Sequence, residues 1–143
     1  MSVYELIEGS KRLGLDGVCL TDHDSFWSIA ETQALSQRHD FLVLPGVEVN
    51  TDSGHVVVFG LDKYVFGMHK PVFLRDLVDQ HGGVMIAAHP YRRRFLEEPA
   101  QDLGARQEML DKAGADEFFD YCDAIEEING RGSAQENRFS LDL

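Results

Sequence analysis

The chain reads as an α/β domain with a mostly parallel sheet and helices packed outside it. Two observations predict this class. Short apolar runs, too brief for helices, alternate along the whole sequence with longer segments carrying apolar residues at helical spacing. The turns between them hold Gly, Pro and Asn-Gly punctuation, with no repeat and no low-complexity linker. At 143 residues, 43% apolar and 27% charged, there is material for a single domain, 1–143, with a real core.

Each element follows from local chemistry. Ser2 with Glu5 three positions on is a capping box, and Val3, Leu6, Ile7 and Leu13 continue an apolar stripe that stops at Gly14. Residues 17–20 form a short buried strand ending in Thr21-Asp22-His23-Asp24. A helix is expected over about 25–37, with Asp24 at its N-cap, and a strand over about 41–49. A turn at Thr51-Asp52-Ser53-Gly54 leads into a third strand, about 55–61. Pro71 opens a helix with Leu74, Leu77, Val78 and His81 on one face, closed by Gly82-Gly83. A strand over about 84–88 terminates in His89-Pro90, and an arginine-rich loop precedes a helix expected over about 105–119. A last strand, about 124–128, ends at Asn129-Gly130, and Ser133 begins another helix.

Composition restricts what such a domain does. No run reaches the roughly 18 apolar residues of a membrane span. The first residues lack the basic-then-apolar pattern of a signal peptide, so a cytoplasmic location is expected. Cys19 and Cys122 lie far apart in apolar segments and read as buried free thiols. A net charge of −12 opposes binding to duplex nucleic acid. An anionic substrate therefore needs a local positive spot, from a metal ion or a few arginines.

The strand ends carry the chemistry. His23, His89 and Asn129 each follow an apolar strand, and Glu48 lies near the end of another. In parallel α/β sheets that rim is where ligands bind. Glu48, set among Leu44, Pro45, Val47 and Val49, is costly to bury unless paired or bound to a cation. Imidazoles plus a carboxylate suit zinc, iron or manganese better than calcium. His39 and His81, by contrast, fall at helix C-termini, where the dipole favours an imidazole, and His69 falls in a solvated loop.

Thr21-Asp22-His23-Asp24-Ser25, Pro45-Gly46-Val47-Glu48, Gly54-His55-Val56, Ala87-Ala88-His89-Pro90 and Asp123-Ala124-Ile125-Glu126 through Asn129-Gly130 resemble, in order, the motifs of the PHP superfamily, named for polymerase and histidinol phosphatase. The resemblance runs over nearly the whole chain. It implies a distorted (β/α)7 barrel, a cluster of up to three divalent transition-metal ions (Mn, Zn or Fe) and phosphoesterase activity. Carried across, it makes Glu48, His55 and His89 ligands of one ion, with Glu48 bridging toward a second and His23 binding a third. Asp22 would orient His23 from behind. Arg92, in the run Arg92-Arg93-Arg94, would clamp phosphate bidentately, the alternative being a solvated loop. Glu126 has no ligand role and a structural duty; Asn129 orients a loop or touches substrate.

The resemblance also shows what this chain lacks. The family's opening His-x-His and closing Asp-x-His motifs are absent from it. Barrels of this kind need about 200 residues or more, so the expectation is an incomplete barrel with one fully liganded ion. Its uncovered strand edges would favour self-association, unless the chain is a fragment of a longer protein. The expected function is metal-dependent hydrolysis of a small phosphate ester or nucleotide by metal-activated water. The alternative is a truncated or degenerate module that binds metal or a partner without catalysis.

Overall fold

A computed structural model describes residues 1–92 and 103–143. Their order is α1 (Val3–Arg12), β1 (Gly17–Leu20), α2 (Ile29–His39), β2 (Leu42–Pro45), β3 (Val47–Asn50), β4 (His55–Phe59), α3 (Pro71–Gln80), β5 (Val84–Ala87), α4 (Leu103–Gly114), a 3₁₀ turn (Phe119–Tyr121), β6 (Ala124–Ile125) and α5 (Ala134–Asp142). Capping boxes open α1, α2 and α5, from Ser2/Glu5, Ser28/Glu31 and Ser133/Glu136. The cap of α2 is Ser28, so the helix starts later than expected. Asp24 stands at φ +48° instead, and its carboxylate accepts from the Asn50 backbone and side-chain N–H groups.

The sheet is mixed, not mostly parallel. β1 and β2 pair in parallel around the crossover helix α2, while β3-β4-β5-β6 form a second sheet in which only β5 and β6 run parallel. The strand expected over 41–49 is two strands, divided at Gly46. A Cβ there would lie 2.8 Å from the Phe59 ring and 3.0 Å from Thr21 Cγ2. The missing side chain lets the backbone cross between Phe59 and Thr21 and change sheets. Gly46 N–H donates to Leu20 O, and an isolated parallel bridge joins His23 to Glu48, so the two sheets meet at that point. Among the described residues no sheet closes on itself, and no barrel is formed.

Two apolar clusters follow from this division. Val47, Val49, Val56, Val58, Met85 and Ala87 alternate onto one face of the four-stranded sheet and pack with Leu74 and Val78 of α3. Ile7 of α1 packs with Leu20 and Val43 beneath the two-stranded sheet. Arg75 ties α3 to the segment that leads into β6: it donates to Asp123 at 2.8 Å and to Tyr121 O at 3.2 Å. Asp123 also accepts from Met85 N–H, and these bonds hold its carboxyl below the usual carboxylate range.

The thiols differ from expectation. Cys19 is exposed, on the face of the two-stranded sheet that also shows Leu42 and Leu44, so β1 is covered on one side only. Cys122 is half-buried, and burial together with the Asp123 charge pushes its thiol up to about 11. A disulfide-exchange reagent at pH 8 is expected to label Cys19 at least ~10-fold faster than Cys122, read by peptide mass mapping over time. Equal rates would contradict this packing. No helix of the described residues is long and apolar enough to cross a membrane.

Candidate metal centre

Alternation along β3 and β4 builds the site. With Val47 and Val49 turned into the core, Glu48 must face the opposite side. Antiparallel pairing sets Glu48 opposite Val57 and Asn50 opposite His55, which makes Glu48 and His55 diagonal neighbours on one face. Backbone bonds from Glu48 N–H to Asp22 O and from Asp24 N–H to Glu48 O bring the residue after β1 alongside. His89 arrives from the end of β5, where Ala88 N–H donates to His55 O.

The three expected imidazole ligands meet on the fourth, the Glu48 carboxylate. Oε1 lies 2.9 Å from His55 Nδ1 and 2.8 Å from His89 Nε2. Oε2 lies 3.7 Å from His23 Nε2. The rings form a row, His23 to His55 and His55 to His89, each pair 5.1 Å between centroids. The gradient of exposure runs along that row, from an His23 side chain at 52% to His89 at 11%, with Glu48 itself at 15%. Burial pushes the Glu48 carboxyl up, but the bonds from His89 and His55 and the nearby His23 outweigh it, so Glu48 titrates below the ordinary glutamate range. It is therefore a carboxylate at neutral pH.

The chemistry of this donor set fits a divalent transition metal: imidazole nitrogens around one ionised carboxylate, half-open to solvent. The ligand atoms of His23, Glu48 and His55 lie within 4.8 Å of one another. That grouping differs from the expected trio, in which His89 stood in the place of His23. His89 reaches the cluster through Glu48 Oε1. His39 and His81 stand apart. His39 is buried against Glu8, and His81 Nδ1 bonds Leu77 O at the end of α3.

A cavity of about 240 Å³ opens beside the row, lined by His55, His89, Arg92, Asp116, Phe118 and Phe119 among others. Arg92 reaches it because its N–H donates to His89 O, closing a turn directly after the strand. Arg93 and Arg94 lie outside the described residues. Asp116 and the two phenylalanines have no counterpart in the sequence reading, which extended α4 to residue 119. The helix stops at Gly114, and Asp116 begins a turn by accepting from Phe118 N–H. Gly114 followed by Asp116 was the available signal. Asp22 does not support His23; its carboxylate accepts from the Trp27 indole at 2.6 Å.

No family model matches the chain. An uncharacterized protein of Methanocaldococcus jannaschii is 27% identical over 116 residues, covering 81% of this chain and 65% of that protein's length. Among solved structures, a candidate metal-dependent phosphoesterase from Bifidobacterium adolescentis superposes with a TM-score of 0.59 at 16% identity, over 96% of this chain and 75% of the other. The chain thus shares the mixed α/β fold of that structure.

Proposed function

We propose that the protein is a metal-dependent phosphoesterase acting on small phosphate esters or nucleotides, with His23, Glu48, His55 and His89 as metal ligands. The observation that carries this reading is an ionised carboxylate in contact with three imidazoles at strand ends, beside a cavity that Arg92 helps to line. The ordered resemblance to PHP motifs and the fold shared with the Bifidobacterium protein support it. A divalent ion held here would supply Lewis acidity and activation of water at neutral pH.

The chain's own residues do the rest. Glu48 offers both oxygens, one toward His55 and His89 and one toward His23, so it is the group able to serve two adjacent ions. Arg92 presents a fork of N–H donors to phosphate oxygens and offsets the charge that builds on them during transfer. Phe118 and Phe119 wall the cavity and give an apolar leaving group a surface to lie against.

The test is elemental analysis of purified protein, followed by hydrolysis of an aryl phosphate with added manganese or zinc. The expected result is bound metal and metal-dependent release of phosphate. Metal without hydrolysis would leave only a binding module, and neither would end the proposal. Arg92→Ala is expected to lower kcat/KM by about 10- to 100-fold while leaving metal content unchanged. Parallel loss of metal would remove Arg92 from the substrate role.

A further inference from the structure

His89 carries a backbone conformation that a histidine rarely adopts, with φ at +32°. Such a conformation persists only where surrounding contacts fix it. Here one side chain does so. Glu126, directly after β6, uses its backbone N–H to donate to Ala87 O at 2.9 Å, two residues before the histidine. Its carboxylate Oε2 then accepts from His89 N–H at 2.6 Å. Glu126 thus grips the end of β5 on both sides of the turn.

The grip is itself anchored. Glu126 Oε1 accepts from Asn129 Nδ2 at 3.1 Å. Asn129 N–H donates to Asn137 Oδ1 at 3.0 Å, and Asn137 Nδ2 returns to Asn129 O at 3.3 Å. Asn137 sits on α5, close against Gly132, where a Cβ would lie 2.7 Å from its Oδ1. A polar chain therefore runs from α5 through Asn137, Asn129 and Glu126 to the backbone of His89. Both Glu126 carboxylate oxygens are engaged along this chain, Oε2 by the His89 N–H and Oε1 by Asn129 Nδ2.

We propose that Glu126 is a positioning residue: its carboxylate locks His89 in the left-handed conformation that aims Nε2 at Glu48. The importance of that aim rests on the metal-centre reading above; the lock itself does not. Without the carboxylate, the His89 N–H is left half-buried with no acceptor, and the turn relaxes toward negative φ. The imidazole then swings away from Glu48 Oε1.

Two measurements separate the lock from the metal. Ala88–His89 is the chain's one Ala–His step. Protein labelled with carbonyl-¹³C alanine and ¹⁵N histidine therefore gives a single HNCO peak, that of the His89 amide. In the wild-type protein without metal, this amide is expected far downfield and protected from exchange, as a short bond to a carboxylate requires. Glu126→Ala should move it upfield and expose it. Glu126→Gln, which keeps a carbonyl acceptor, should restore most of the protection. A wild-type amide that is neither downfield nor protected overturns the proposal, even if Glu126→Ala fails to fold. So does equal behaviour of the Ala and Gln variants.

The second measurement is manganese affinity by calorimetry. Glu126→Ala is expected to weaken it by about 10- to 100-fold, with recovery in Glu126→Gln. If the wild-type protein binds no manganese but the amide behaves as described, the metal-centre reading fails and the lock stands. If manganese binds and Glu126→Ala leaves its affinity unchanged, the positioning role is overturned.

Discussion

Glu48→Ala is expected to weaken divalent-metal affinity on the order of 100-fold or more, beyond the loss typical of removing a supporting residue. Every other expected ligand reaches the cluster through this carboxylate: His55 and His89 on Oε1, His23 facing Oε2. No other acidic side chain among the described residues contacts these three imidazoles. Replacement leaves neutral imidazoles that hold a cation without offsetting its charge. The apoprotein should lose little more than the hydrogen bonds themselves, about 1–3 kcal/mol. The histidines are partly solvated, and the core face of β3 rests on Val47 and Val49. Calorimetric titration with manganese, alongside urea unfolding, separates the two effects. His81→Ala is the control and should leave affinity unaltered, because His81 is occupied by Leu77 O at the end of α3. Undiminished affinity in Glu48→Ala would place any metal elsewhere.

The second large effect is structural and reaches the site indirectly. Gly83 lies where the chain turns from α3 into β5, packed on the end of β4. A Cβ on it would stand 2.3 Å from Phe59 O and 2.9 Å from Val78 Cγ1. Phe59 O belongs to the backbone, so it gives way only if the strand moves. Across this contact a Cβ on Gly60, which stands at φ +98°, would lie 2.8 Å from Gly83 Cα. Gly83→Ala is expected to cost on the order of 3 kcal/mol, read as a lower urea midpoint. Gly114→Ala, at the exposed end of α4 with nothing within 4 Å, should be neutral or stabilising by about 0.5–1 kcal/mol. The displaced β4–β5 pair carries His55 and leads into His89, so Gly83→Ala should also loosen metal binding in whatever fraction stays folded. Equal midpoints for the two variants would contradict the strand packing.

The parts of this molecule that were legible are those governed by short-range chemistry. The capping box at Ser2, the helix start at Ser133, the Pro71 start of α3 and the Gly82-Gly83 stop all act within a few residues of chain, and the structure has each in its expected place. So do the strand-end positions of His23 and His89, because an apolar run that stops at an ionisable residue marks a rim whatever the strand pairs with. Pairing itself was not legible. Direction and register depend on partners distant in sequence, and nothing in residues 41–49 announces that Gly46 hands the chain from a parallel pair to an antiparallel hairpin. The same limit hid the partners of Asp22 and Asp24. Trp27 and Asn50 win those carboxylates through loop geometry that no residue spacing encodes. Glu126 shows the limit most sharply: its place in a recognisable motif suggested structural duty, but its hold on the His89 backbone depends on β5 and β6 lying in parallel.

The most direct test is an anomalous difference map from crystals soaked in manganese, with data collected on both sides of the metal's absorption edge. The expected result is a peak within bonding distance of the Glu48 carboxylate and at least two of His23, His55 and His89. A well-ordered Glu48 still hydrogen-bonded to His55 and His89, with no peak between them or with manganese bound only at other acidic residues, would contradict it.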